Sequence, residues 1–311
     1  MYKKHRPFRF GVVVRDAASH QEWVDKARRA EDLGFATFLV PDHFGNQLSP
    51  APALATVACA TSTLRIGSHV YDNDFRHPAL LAKEALTLDL ISDGRFELGI
   101  GAGWMRPEYE QTGIPFDEPA VRVGRLEEAV QIIKSLFGEE PVTFSGKHYN
   151  INGLKGYPPP IQRPHPPLLI GGGGKRMLTL AGREANIVAL APKALPDGSL
   201  ETKSLTASAT ARKVAWIRQS AGERLDDLEI NTLLQAVQVT ADREGATARF
   251  VADWGLTPEE VLGSPHLLIG DIEQITEDLQ SRREQFGISY VVVFEANMQA
   301  LAPIVARLAG K

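Results

Sequence analysis

Short apolar runs alternate along this chain with longer stretches whose apolar positions recur at helical spacing. The first run, FRFGVVV at 8–14, is Val-rich with little alternation, which predicts a strand buried on both faces. Ser19, with Glu22 three residues on, has the spacing of a capping box, and Gly34 stands where a helix-ending glycine belongs. The pattern between them predicts helix 1. The unit then repeats. Further strands are predicted at 36–40, 63–70, 95–101, 167–172, 186–190, 229–239 and 289–294. Helices are predicted at 52–62, from Pro78 to Ile91, at 119–137, from near Gly174, at about 205–221, and over the C-terminal segment ALAPIVARLAG.

Eight strands alternating with helices predict one α/β domain over residues 1–311, a closed parallel (β/α)8 TIM barrel with loop insertions. A doubly wound sheet is the other fold such alternation permits. It calls for a glycine fingerprint after strand 1, and VRDAAS stands there instead. Three segments exceed the minimal repeat. Residues 138–166 are rich in Pro and Gly, and VTFSGKHYNI within them predicts a hairpin turning at Ser145-Gly146-Lys147. Residues 191–205 read as a loop, and residues 241–270 as short helical pieces.

Composition narrows the function classes. The formal net charge is −4, with basic residues interspersed among acidic ones, so nothing draws the chain toward nucleic acid or an acidic membrane. The single cysteine, Cys59, excludes an intrachain disulfide and a thiolate zinc cluster, and its apolar surroundings predict a buried small hydrophobe. No apolar stretch approaches a membrane span and the N-terminus lacks a signal-peptide pattern, so a cytoplasmic location is expected.

Four clusters follow predicted strands, at the end of a barrel where active sites assemble. Asp42 and His43 lie just past strand 2. Either the carboxylate sets the protonation of the imidazole, or Asp42 caps a loop beside a packed histidine. The stretch Gly67 to Asp74, with His69, Val70 and Asp72, offers polar groups to a planar heterocycle, or forms a loop held by Asx-turns. Gly101, Ala102, Gly103 and Trp104 follow strand 4. Small residues there let a flat ring approach the backbone with Trp104 as a wall, or they relieve crowding inside the barrel. Gly171, Gly172, Gly173 and Gly174 precede Lys175 and Arg176 at the start of a helix, whose free N–H groups suit a phosphate. The P-loop pattern, a GxSxG elbow and HExxH are absent, and no HxH pair is present to seed a metal-dependent barrel hydrolase.

In their order and number, the segments ARRAEDLGFATFLVPDHF, TLRIGSHVYDNDFRHPALLAKEALTLDLISDGRFELGIGAGWMRPEY, VTFSGKHYNI, PPLLIGGGGKRMLTLAGREANIV and FGISYVVV resemble the luciferase-like family, and within it the F420-dependent oxidoreductases. The resemblance spans nearly the whole chain. It implies a barrel with insertions, the deazaflavin F420 as cofactor (FMN in the alternative) and a small organic substrate at the C-terminal mouth. It further implies a non-prolyl cis peptide at His69–Val70 behind the deazaflavin ring, with the backbone of Gly101, Ala102 and Gly103 lining that ring. Asp72 and Trp104 then fall beside the cofactor, and Gly172, Gly173, Gly174 and Lys175 contact its phosphate. His43, preceded by Asp42, matches a general base. In the sugar-phosphate dehydrogenase members a glutamate that follows the GxG is the proposed proton donor. Here Trp104 holds that place, Glu108 is the candidate replacement, and an apolar wall implies a less polar substrate. The implied activity is hydride transfer between F420 and the substrate, with His43 moving a proton. An FMN-dependent monooxygenase and a non-catalytic flavin-binding relative are the alternatives. Because the family often dimerises, a homodimer is an expectation of the same resemblance.

Overall fold

The computed structural model describes residues 6–195 and 199–311. Eight parallel strands run through it: β1 (Arg9–Val13), β2 (Thr37–Val40), β3 (Arg65–Ser68), β4 (Phe96–Gly101), β5 (Leu168–Gly172), β6 (Ile187–Leu190), β7 (Glu229–Leu233) and β8 (Ile288–Phe294). Their spatial order is β3-β2-β1-β8-β7-β6-β5-β4, and β4 pairs back onto β3 through Phe96 opposite Ile66 and Glu97 opposite Gly67. The sheet therefore closes, and the expected barrel is the fold observed. The outer helices are α1 (His20–Asp32), α2 (Pro50–Ala60), α3 (Pro78–Ile91), α4 (Pro119–Leu136), α5 (Lys175–Glu184), α6 (Ala207–Ala221), α7 (Ile272–Phe286) and α8 (Met298–Leu308).

Alternation along the strands divides the core. Val13, Leu39, Leu169, Ile187, Ala189, Tyr290 and Val292 pack together as one buried cluster. Their neighbours of opposite parity, such as Val12, Phe38, Ile170 and Val188, pack with Ala27, Leu54, Leu81, Val130 and Leu178 of the helices. Barrel strands are thus apolar on both faces, which is why they read as runs and not as alternations. The N-terminal end of the barrel is closed by charge. Arg9 donates to Glu229 at 2.6 and 2.8 Å and to Glu97 at 2.5 Å, Arg65 donates to Glu97 at 2.6 Å, and the Arg9 guanidinium lies 3.7 Å over the Tyr290 ring. Burial disfavours the Arg9 charge, but Glu97 and Glu229 outweigh it and hold the group raised.

Several expectations change. Predicted strand 7 at 229–239 is two strands. β7 ends at Leu233, and Ala236–Val239 pairs with Leu267–Gly270 in a separate two-stranded sheet. Leu234 still donates to the Val292 carbonyl, but Gln235 donates to that of His266, so the chain changes partner without interrupting its apolar pattern. The capping box on α1 is half formed: Ser19 accepts from the Glu22 N–H at 3.1 Å, while the Glu22 carboxylate takes the Ala18 N–H, not that of Ser19. Cys59 is exposed and not buried, because α2 turns Ala53, Leu54, Val57 and Ala58 inward and Cys59 falls outside that face. Helix α7, which completes the repeat, was not among the predicted helices, although Asp271 and Gln274 form a full capping box at its start. The hairpin is as expected, with Val142–Ser145 antiparallel to Asn150–Leu154 and Gly146 donating to Tyr149. Helices Arg243–Trp254 and Pro258–Leu262 occupy 241–270. The predicted loop 191–205 includes residues 196–198, which lie outside the described residues. Among the described residues no helix is long and apolar enough to cross a membrane.

Candidate active site

His43 sits three residues past the end of β2, with its side chain 21% exposed. Its Nδ1 lies 2.8 Å from Glu108 Oε2, while Glu108 Oε1 accepts the Phe44 N–H at 2.9 Å. The imidazole and the Trp104 ring are perpendicular, with centroids 5.9 Å apart. Glu108 belongs to a short helix, Arg106–Thr112, that carries a proline in its first turn and stops at Gly113 with φ 74°. The carboxylate beside His43 is therefore Glu108, and the expected role of Asp42 is corrected. Asp42 accepts from both terminal nitrogens of Arg76, one at 3.1 Å and the other closer, and from the Asp72 N–H at 3.0 Å. Consecutive residues leaving a strand point to opposite sides, so Asp42 and His43 diverge.

Asp72 ends a two-residue strand, Tyr71–Asp72, that pairs in parallel with the C-terminal end of β4, Asp72 opposite Gly101. Its carboxylate accepts the Tyr109 hydroxyl at 2.9 and 3.1 Å and the Asp74 N–H at 2.9 Å, so the Asx-turn expected for this loop is present. Burial pushes the Asp72 carboxyl up to about 7, against these donors. Burial, with Asp72 and Asp74 nearby, likewise raises the Tyr109 hydroxyl. Gly103 has φ 72°, and a Cβ there would lie 1.7 Å from the Tyr109 hydroxyl and 2.5 Å from Asp72 Oδ2. Arg122 donates to the Gly103 carbonyl at 2.6 Å and to that of Ala102 at 3.3 Å. The turn after β4 is thus clamped from two sides.

The peptide bond His69–Val70 is cis, as expected. His69 Nε2 lies 3.2 Å from Asn231 Oδ1. Because the Asn231 amide donates to the Tyr290 carbonyl, Oδ1 is the acceptor and Nε2 carries the hydrogen. Burial lowers the His69 pKa and favours its neutral form. Ser68 and Val70 account for the glycines opposite them. A Cβ at Gly101 would come within 2.9 Å of a Val70 methyl, and one at Gly99 within 2.0 Å of the Ser68 carbonyl. At these two positions glycine relieves crowding among residues of the barrel itself.

The glycine run after β5 is of mixed origin. A Cβ at Gly172 would meet Met177 at 2.7 Å, and one at Gly173 the Pro192 and Ala191 carbonyls at 2.7 and 2.8 Å. A Cβ at Gly174 would meet nothing within 4 Å. Gly174 is the N-cap of α5 and no side chain caps the helix, so its first-turn N–H groups have no side-chain acceptor, and the space beside the Gly174 Cα is open. Lys175 is exposed beside them, whereas Arg176 is drawn onto α4, donating to the Ala120 carbonyl at 2.7 Å and to Glu127 at 2.9 Å. Among the described residues no group of three or more His, Cys, Asp or Glu is arranged to hold a metal ion.

The structure thus joins His43 to Trp104, Asp72 to Gly103 and Val70 to Gly101, and sets Gly172 to Lys175 apart on the neighbouring strand-to-helix turn. Sequence reasoning missed Arg76, Tyr109 and Arg122, and gave Glu108 no tie to His43. The proline-to-glycine bracket at Pro107 and Gly113 was a legible signal for the helix that carries Glu108 and Tyr109.

Comparison with known proteins adds independent findings. A family profile described as luciferase-like monooxygenase matches residues 7–286. The chain is 31% identical over 273 residues to the F420-dependent glucose-6-phosphate dehydrogenase of Nakamurella multipartita, covering 83% of this chain and 76% of that one. It is 36% identical over 167 residues to the enzyme of the same description from Kineococcus radiotolerans, where the match covers 51% of this chain and only 49% of the relative's length. The coenzyme F420 dependent tetrahydromethanopterin reductase from Methanopyrus kandleri superposes with a TM-score of 0.78 at 19% identity, covering 97% of this chain and 100% of that one, which shows a shared fold.

Proposed function

The chain belongs to the luciferase-like monooxygenase family, and from that premise we propose that it is an oxidoreductase that uses deazaflavin F420 on a small organic substrate at the C-terminal mouth of the barrel. The observation that carries the reading is the uncapped start of α5, where free N–H groups, the open space at Gly174 and the exposed Lys175 together suit the phosphate of such a cofactor. The relatives whose names specify F420 support the same choice.

In this reading Gly172, Gly173, Gly174 and Lys175 hold the phosphate. The His69–Val70 segment, Asp72 and the turn Gly101-Ala102-Gly103 hold the ring, with Trp104 beside it. When bound, the deazaflavin supplies two-electron hydride chemistry. The chain's own contributions are to orient the substrate, to exclude water and to move a proton at His43. Trp104 leaves the wall next to His43 apolar, which favours a substrate less polar than a sugar phosphate.

The test is a fluorescence titration of cofactor-free protein with F420 and, separately, with FMN. Tight F420 binding with FMN at least tenfold weaker is the expected result. The opposite preference assigns the protein to flavin-dependent monooxygenation, and binding of neither removes the cofactor reading.

A further inference from the structure

We propose that Glu108 is the positioning residue for His43: it fixes the imidazole proton on Nδ1 and leaves the Nε2 lone pair as the base of the mouth. The proton inventory decides this. An ionised carboxylate only accepts hydrogen bonds. Glu108 Oε1 is taken by the Phe44 backbone N–H at 2.9 Å, a donor that cannot change role. The second oxygen, 2.8 Å from Nδ1, therefore receives the imidazole N–H. Glu108 is 7% exposed and, among the described residues, has no lysine or arginine ion pair, so its charge is compensated by these two donors. The same carboxylate thereby ties the loop after β2 to the helix after β4, and the Trp104 ring packs perpendicular to the imidazole so held.

This arrangement deepens the F420 reading by naming a substrate class, and it rests on that reading for the reaction but not for the tautomer. A hydroxyl that reaches Nε2 gives up its proton to the imidazole, and the imidazolium formed is stabilised by Glu108 at its other nitrogen. In the opposite direction Nε2–H returns that proton to a carbonyl oxygen. The reacting group is therefore an alcohol or carbonyl, whose oxidation or reduction removes or adds a proton at oxygen, as no redox change of a phosphate or carboxylate does here. Asp42 cannot serve in the same way, because Arg76 and the Asp72 N–H occupy its oxygens.

The decisive variant is Glu108→Gln. Glutamine offers one acceptor oxygen, which the Phe44 N–H claims, so its NH2 group faces Nδ1. That nitrogen must become an acceptor, and the proton moves to Nε2. Long-range 15N–1H NMR of labelled protein without cofactor reads the tautomer of neutral His43, assigned by difference from His43→Ala. Nδ1–H is expected in the wild type and Nε2–H in Glu108→Gln. With F420 and a secondary alcohol as probe, kcat is expected to fall about 100-fold or more while KM stays within about threefold. In a His43→Ala background Glu108→Gln should add no further loss. A wild-type spectrum showing Nε2–H, which needs no variant to fold, overturns the proposal, as do losses that multiply in the double variant. Failure to bind F420 with the tautomer switch intact overturns the function proposed above and leaves the positioning role standing.

Discussion

The two ends of this barrel use charge in opposite ways. At the N-terminal end Arg9, Arg65, Glu97 and Glu229 neutralise one another at 2.5 to 2.8 Å, with Tyr290 stacked beneath Arg9. Few donors or acceptors there remain for anything else. Among the described residues of the C-terminal mouth, Asp72 is buried with no ion-paired cation, His43 turns one nitrogen away from Glu108, and α5 starts with no side-chain cap. One end closes the core. The other leaves groups in states that a bound molecule would complete.

That contrast breaks most visibly at Glu97. Its side chain is 3% exposed, and burial alone would raise its pKa, but Arg9 and Arg65 outweigh burial and lower it. Glu97→Gln leaves two cations facing an amide, and we expect a loss of about 3 kcal/mol, the lower part of the range for breaking a buried pair, since both arginines retain some water. Urea unfolding reads this directly, and F420 affinity should be unchanged. A large affinity loss with little loss of stability would invert the assignment of the two ends.

How much of this was legible in the sequence follows from the range of each contact. The barrel strands were readable because double burial makes each one a local apolar run. The four glycines after β5 were readable as a feature, but not their division of labour. Gly172 and Gly173 serve Met177 and the Ala191–Pro192 backbone, and only Gly174 leaves open space. The partner of His43 was not readable, because Glu108 is 65 residues away and Asp42 is adjacent. Adjacency favoured Asp42 in the reading, while strand geometry sends it to Arg76. The change of partner at Gln235 was hidden for a related reason: apolar spacing records burial and not which neighbour provides it.

Asp72 sharpens the comparison through pH. Its folded-state pKa is raised to about 7 from an ordinary value of 3.8, so the folded chain binds more protons than the unfolded one between these limits. The stability it contributes is present below the unfolded pKa and is lost as pH rises through about 7. Asp72→Asn keeps the acceptor for the Asp74 N–H and cannot ionise. We expect the wild type to lose up to about 4 kcal/mol relative to this variant between pH 4 and pH 8, judged by urea midpoints at each pH. Parallel curves for the two proteins would show that Asp72 ionises freely and that the mouth is wetter than its burial implies.

The smallest effect on stability is expected at Gly174, where the comparison becomes a trade. Aspartate there meets no steric obstacle, because no atom lies within 4 Å of its Cβ, and φ is −93°. Its carboxylate would cap the free N–H groups of α5 and favour the helix dipole, adding a few tenths of a kcal/mol. The same carboxylate would occupy the proposed phosphate cradle and repel an anion, so F420 affinity should fall by at least tenfold. Thermal unfolding without cofactor and a fluorescence titration with it measure the two quantities on one preparation. A more stable protein that binds F420 less well means that the missing cap is a vacancy kept for the ligand. A more stable protein that binds F420 as before would place the phosphate elsewhere and reduce Gly174 to an uncapped helix start.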